Sequence, residues 1–161
     1  MTTEREGKGR KLDRFDRRIL RELQSDGRIT MVELAERVGL SKTPCIQRVK
    51  RLAEAGYIRA YTALLSPELL GSGHITFVQV KLRSTTTEAL ESFNRAVSEM
   101  PEVQGCYMIA GGFDYLLKVR TSDIHQFRQL LGERLATLPH IQQTSTFVVM
   151  ETVKDSHTVQ V

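Results

Sequence analysis

The side chains best suited by type and spacing to do chemistry lie between Ser41 and Leu52. There Lys42, Thr43, Gln47, Arg48, Lys50 and Arg51 gather cations and polar donors into one short stretch. Such groups recognise phosphates and base edges: arginine and lysine pair with phosphate oxygens or guanine, glutamine with adenine, and threonine with several base edges. No catalytic set of comparable density occurs. The serines and histidines form no nucleophile motif, and Gly71-Ser72-Gly73 is not followed by the spacing of a dinucleotide loop. Cys45 and Cys106 make neither a disulfide framework nor a zinc set, and the four histidines are too dispersed for a local metal motif. No metal or cofactor is expected, and both cysteines read as small packed residues.

Donors on a short stretch are useful only if a frame holds them. Asp13 can cap a helix whose apolar positions Phe15, Ile19, Leu20 and Leu23 recur at three- and four-residue intervals, with Gly27 ending it. Thr30-Met31-Val32-Glu33 has the spacing of a capping box, and the helix it opens buries Leu34, Ala35 and Val38 before closing at Gly39. Leu40 plugs the turn. Ser41 caps a third helix with Pro44 in its first turn, where a missing N–H costs little, and Gly56 marks its end. With Ile46, Val49 and Leu52 on the inner side, the polar and cationic residues fall on the outer surface. Two capped helices joined by a glycine turn, the second bearing long donors, make a helix-turn-helix whose second helix can enter the major groove. Ile46 and Val49 fall one place later than in the shortest such pattern, so the turn is longer.

Charge supports that division. Residues 1–60 hold 15 Lys/Arg against 9 Asp/Glu, whereas residues 61–161 hold 8 against 10. A basic first half suits a polyanion, and a mildly acidic second half suits another task. At 161 residues and 40% hydrophobic, the chain fits one medium or two small globular domains. No run approaches the roughly 20 apolar residues of a membrane helix, and the first residues lack a secretory apolar core, so a cytoplasmic protein without membrane partners is expected.

Beyond Gly56, Tyr57–Leu65 is β-like, and Ser66-Pro67 and Gly71-Ser72-Gly73 break it. From His74 the pattern reads strand (to Arg83), helix (Thr86–Met100), a hairpin of Val103–Ile109 and Phe113–Thr121, a helix marked by Ile124, Phe127, Leu131, Leu135 and Leu138, and a last strand (Ile141–Val153). That order is the βαββαβ arrangement of a ferredoxin-like sandwich. The expected fold class is α+β: a flexible basic tail (1–11), a winged-helix-like helix-turn-helix domain (12–57), a strand or hinge linker (58–73), the sandwich (74–153) and a C-terminal tail (154–161). Phe77, Tyr107, Phe113 and Phe147 are expected on the sheet face that the helices leave bare, and a second copy is the simplest cover for it.

These segments together resemble the Lrp/AsnC, or feast/famine, family of bacterial and archaeal transcriptional regulators, over residues 12–153. The resemblance rests on Leu12-Asp13-Arg14-Phe15-Asp16, Asp26-Gly27-Arg28-Ile29, Val38 through Cys45, Arg48-Val49-Lys50-Arg51-Leu52 and Gly111-Gly112-Phe113-Asp114-Tyr115. The chain looks closest to the leucine-responsive branch. Where that branch commonly has Ser-Pro-Thr-Pro, this chain has Ser41-Lys42-Thr43-Pro44, which adds a cation at the groove.

The resemblance implies a regulator that binds double-stranded DNA and assembles as dimers or octamers. Lys42, Gln47 and Arg48 are expected at bases, Lys50, Arg51 and Arg28 at phosphates, and Ser41, Thr43 and Pro44 at the start of the reading helix. It also implies an amino-acid effector, leucine or another such as proline, bound between subunits. Local chemistry is compatible: Gly111 and Gly112 can turn N–H groups toward a carboxylate, Asp114 can receive an ammonium, and Tyr115, Thr144 and Thr146 can complete the site. Two alternatives stay open. One is a sirohaem-decarboxylase-like enzyme on a similar architecture, using His74, His125 or His140. The other is a nucleoid-organising protein of low sequence preference.

Overall fold

A computed structural model of the protein describes residues 11–161. The tail expected over residues 1–11 therefore lies, apart from Lys11, outside the described residues. The chain divides into two compact units, one built from the chain up to Leu64 together with Ser156–Val161, the other from Leu65–Asp155.

The first unit contains α1 (Arg14–Ser25), α2 (Met31–Val38) and α3 (Lys42–Glu54). Four of the six helix ends have an identifiable local cause. At the start of α1 the Asp13 carboxylate accepts the Phe15 and Asp16 backbone N–H groups at 2.8 and 2.9 Å, and Asp16 returns a carboxylate oxygen to the Asp13 N–H. The same reciprocal box joins Thr30 and Glu33 before α2. Gly39 ends α2 with φ 75°, which lets Leu40 N–H reach back to the Ala35 carbonyl and Gly39 N–H to that of Glu36. Gly56, at φ 80°, repeats the device after α3 through Tyr57 to Leu52 and Gly56 to Ala53. Between the helices Ile19, Leu23, Ile29, Leu34, Ala35, Val38, Cys45 and Leu52 form the core. Burial pushes the Cys45 thiol pKa up, which suits a packed, unreactive residue.

Two expectations change here. Ile46 is 40% exposed rather than turned inward, because Cys45 and Leu52 already occupy the buried side of α3. Tyr57–Leu65 forms no strand. The last residues, read in the sequence as a tail, fold with the helices: the Gln24 side-chain amide holds both the carbonyl and the N–H of Val159, at 2.9 and 2.8 Å.

The second unit is a four-stranded antiparallel sheet in the order β2-β3-β1-β4, with β1 His74–Leu82, β2 Val103–Met108, β3 Tyr115–Thr121 and β4 Ile141–Val148. Helices α4 (Thr87–Ser98) and α5 (Ile124–Leu130) cover one face. Alternation within β1 and β3 sends Val78, Val80, Leu82, Tyr115, Leu117 and Val119 toward them, where they meet Phe93, Val97, Phe127, Leu130 and Leu135. The second helix is shorter than its apolar spacing predicts. After Leu130 it becomes one π-helical turn, Leu131–Leu135, whose wider pitch keeps Leu130 and Leu135 on one buried side. The last strand ends at Val148 rather than Val153.

Across the sheet Phe77 pairs with Lys118 on one side and Phe147 on the other, and Tyr107 with Leu116. These residues and Phe113, beside Gln79 at the end of the sheet, lie on the side without helices. Tyr107 and Phe147 are 54% and 50% exposed. A Cβ on Gly105 would stand 2.8 Å from the Tyr107 phenol oxygen, so the exposed ring would have to shift to admit a side chain there. No described helix is long and apolar enough to cross a membrane.

Candidate nucleic-acid interface and effector pocket

Helix α3 divides its polar residues between two directions. Lys42, Thr43, Pro44, Gln47 and Lys50 are exposed, as are Ser41 before the helix and Arg28 in the turn between α1 and α2. Ser41 makes no side-chain capping bond, and Lys50 stands 3.8 Å from Glu54 in an exposed pair of little energetic weight. Thr43, Gln47 and Lys50 follow three- and four-residue spacing along one outward line, with Ile46 on its flank.

Arg48 takes the other direction. Its Nη1 lies 2.6 Å from Asp13 Oδ2 and 2.7 Å from Asp16 Oδ1, and its side chain is 24% exposed. Arg51 Nη2 shares the same Asp16 oxygen at 2.7 Å. The Arg48 guanidinium also lies over the Phe15 ring, 5.4 Å from its centroid. The hydrogen bonds that Arg48 donates to Asp13 and Asp16 raise its pKa, and the Asp13 carboxyl is held below its ordinary value by the Asp16 backbone N–H and by Arg48. Arg48, expected as a base reader, instead directs its Nη1 inward to Asp13 and Asp16 at the start of α1.

In the second unit a hollow of about 290 Å³ opens at one end of the bare sheet face, lined by Gln79, Lys81, Gly112, Phe113, Gln143 and Ser145. Its floor is two cross-strand pairs, Gln79 opposite Ser145 and Lys81 opposite Gln143, and the loop after β2 supplies its wall. Lys81 gives it a cation, the glutamines and Ser145 supply neutral hydrogen-bonding groups, and Phe113 offers an apolar side. This is the composition of a small polar-ligand site.

The expected effector residues separate against this geometry. Gly112 lines the hollow, with Gly111 beside it in the loop. Neither glycine has a positive φ. Asp114 is spent on the backbone: its Oδ2 accepts the Leu82 N–H at 2.7 Å, while its own N–H donates to Val80 and its carbonyl accepts from Ile109. Tyr115 is 2% exposed, packed against Phe93 in the helix-side core with ring centroids 4.6 Å apart. Thr144 and Thr146 sit opposite Val80 and Val78 and so belong to the helix side, not to the side of Gln79 and Lys81. Sequence reasoning missed Gln79, Lys81, Gln143 and Ser145. The alternation of β1 hints at the first pair, but only the β1–β4 register brings in the second.

None of His74, His125 and His140 lines that hollow. His74 bonds the Thr76 hydroxyl at 3.2 Å and tilts against Phe127. Among the described residues no group of His, Cys, Asp or Glu is arranged to hold a metal ion.

Comparison with known proteins also divides the chain into two parts. Residues 12–59 match a winged helix-turn-helix DNA-binding family, and residues 75–159 match the Lrp/AsnC ligand binding domain. A proline dehydrogenase transcriptional activator of Rhizobium radiobacter is 55% identical over 145 residues, covering 90% of this chain and 93% of the relative. The leucine-responsive regulatory protein of Escherichia coli K12 is 51% identical over 149 residues, covering 92% and 91%. Among solved structures, a transcriptional regulator of Neisseria meningitidis in complex with L-Met superposes with TM-score 0.87 at 38% identity, covering 92% of this chain and 96% of that one. An AsnC family regulator of Agrobacterium tumefaciens gives 0.88 at 37% identity with the same coverage.

Proposed function

This chain belongs to the Lrp/AsnC family of transcriptional regulators, with a DNA-binding helix-turn-helix domain and an amino-acid-binding domain, and from that premise we propose how its residues divide the work. The outward line of α3 reads DNA. Thr43 and Gln47 meet base edges, Ile46 meets a thymine methyl, and Lys42, Lys50 and Arg28 hold phosphates, with Ser41 and Pro44 at the helix entry. The observation that carries this assignment is the inward tether of Arg48, which leaves Thr43, Gln47 and Lys50 as the exposed polar line.

The hollow beside Lys81 takes the effector, an α-amino acid whose carboxylate meets the Lys81 ammonium and whose side chain rests on Phe113. The names of the two relatives, one responsive to leucine and one tied to proline dehydrogenase, support a small apolar amino acid. A second copy covers the bare sheet face around Phe77, Tyr107 and Phe147, as a homodimer or a larger even assembly, and two-fold symmetry then calls for a pseudo-palindromic DNA site. The protein acts in the cytoplasm, on the nucleoid, and carries out no catalytic step.

A thermal-shift screen of the full chain against each common amino acid tests the effector reading, because a ligand selective for the native state raises stability by about 2.7 kcal/mol at 100 times its Kd. One or a few apolar amino acids are expected to shift the melting temperature, and a Lys81→Met chain is expected not to respond. Equal melting temperatures with every amino acid would overturn it.

A further inference from the structure

The capping box that opens α1 does a second job. Asp13 and Asp16 close the start of that helix on themselves, yet their remaining oxygens receive two arginines of α3, at 2.6 and 2.7 Å for Arg48 and 2.7 Å for Arg51. Asp16 is only 4% exposed. Arg48 and Arg51 are three residues apart, so they occupy adjacent turns of one side of α3, and Phe15 supports the first from below. A helix gripped at two successive turns by a buried carboxylate cannot roll about its axis, whereas the apolar contacts of Cys45 and Leu52 alone are non-directional.

The charge consequence is as important as the mechanical one. Lysines and arginines that meet phosphates raise affinity for every sequence alike. Two arginines on the reading helix, left free, would strengthen indiscriminate binding without adding information. Held by Asp13 and Asp16, they are withdrawn from that contest.

We propose that Asp13 and Asp16 are positioning residues for DNA selectivity: without touching DNA, they fix the rotation of α3 and withhold Arg48 and Arg51 from sequence-independent phosphate binding. This rests on the reading of α3 as the base-reading helix. The geometry that carries it is one carboxylate oxygen of Asp16 shared by two guanidinium groups, a partition no surface ion pair would enforce.

The test uses the full chain and two labelled duplexes: one selected from a random library by the wild-type protein, the other its shuffled sequence. Affinity is measured by fluorescence anisotropy across a range of KCl concentrations. In Asp16→Asn the shuffled duplex is expected to bind about tenfold more tightly, with the salt dependence steeper by roughly 0.9 for each arginine released, and the selected-to-shuffled ratio is expected to fall by a similar factor. Glu36→Gln, the same change of formal charge on exposed α2, is expected to leave slope and ratio unchanged. Adding Arg48→Gln to Asp16→Asn should reverse most of the gain on shuffled DNA, a result that a merely loosened fold would not give.

Asp13→Asn keeps a good capping side chain and removes only the charge, so it should move slope and ratio in the same direction even where Asp16→Asn fails to fold. An Asp13→Asn chain with wild-type slope and ratio overturns the proposal. So does an Asp16→Asn chain, folded by circular dichroism, that binds both duplexes with equally reduced affinity, since that is what a purely structural carboxylate would do. If the wild-type chain itself selects no sequence, the base-reading assignment of α3 fails, and this proposal with it.

Discussion

The carboxylate of Asp114 accepts the backbone N–H of Leu82 at 2.7 Å, fastening the loop after β2 to the last residue of β1. The bond falls where the β1–β4 register shifts, between Lys81 and Leu82, so one side chain steadies both the wall and the floor of the proposed effector hollow. Asp114→Ala is expected to destabilise the sandwich unit by about 1–3 kcal/mol, the cost of leaving a buried N–H unsatisfied, and to weaken amino-acid binding with it. Asp114→Asn retains an acceptor and should keep most of both. Calorimetry that found wild-type stability but no ligand binding in the Asn variant would instead place the effector's ammonium on Asp114.

Lys81 is exposed and lines the hollow. Lys81→Met should lower effector affinity at least tenfold, about 1.4 kcal/mol, while DNA affinity without effector stays at the wild-type value. Titration calorimetry and anisotropy separate the two, and unchanged effector affinity would move the carboxylate site elsewhere.

On α3 the base and phosphate assignments differ in kind. Gln47→Ala should cost about 1–3 kcal/mol on the selected duplex and relax preference at one position, whereas Lys50→Ala should weaken all duplexes and flatten the salt slope by roughly 0.9. Uniform weakening in both variants would reduce Gln47 to a backbone contact.

Acid should weaken the contact of Asp13 with Arg48 in a set direction. Because the native Asp13 carboxyl lies below the ordinary value of 3.8, the unfolded chain binds that proton more readily. Its stabilisation is therefore complete above pH 3.8 and lost as pH falls through the lower native value. Urea unfolding of wild type and Asp13→Asn should differ at about pH 7 and converge in acid. A gap that persists below the native pKa would assign the effect to capping rather than charge.

Phe147 is half exposed and pairs with Phe77 on the bare sheet face. If a second copy covers that face, Phe147→Glu should convert the assembly to monomers at micromolar concentration, read by sedimentation, with helix content intact. A wild-type chain that already sediments as a monomer would remove the dimer from the functional reading.

Local rules were sufficient for much of this protein. Asp13, Thr30-Glu33, Gly39 and Gly56 act on the residues within one turn of themselves, so the three helices of the first unit and their ends could be read from spacing alone. Strand alternation and the order of apolar periods likewise identify the sandwich, because each strand needs one apolar face and each helix one apolar stripe. Even the faces of β1 were legible: Val78 and Val80 turn one way and Gln79 and Lys81 the other.

What spacing could not supply is anything that depends on which residues distant in the chain become neighbours. Arg48 looked like a groove cation because its partners, Asp13 and Asp16, stand more than thirty positions earlier, and helix packing alone brings them within 3 Å. Thr144 and Thr146 looked suited to an effector because hydroxyls can hydrogen-bond, but a register of one residue decides that they share a side with Val80 and Val78 while Gln143 and Ser145 share one with Lys81. Asp114 looked like a free anion until Leu82, from another strand, took its oxygen. Helix ends and apolar faces are set by interactions over a few residues and are written in the sequence. Whether a charged or polar side chain is available for binding is set by its neighbours in space, and only the packed chain decides that.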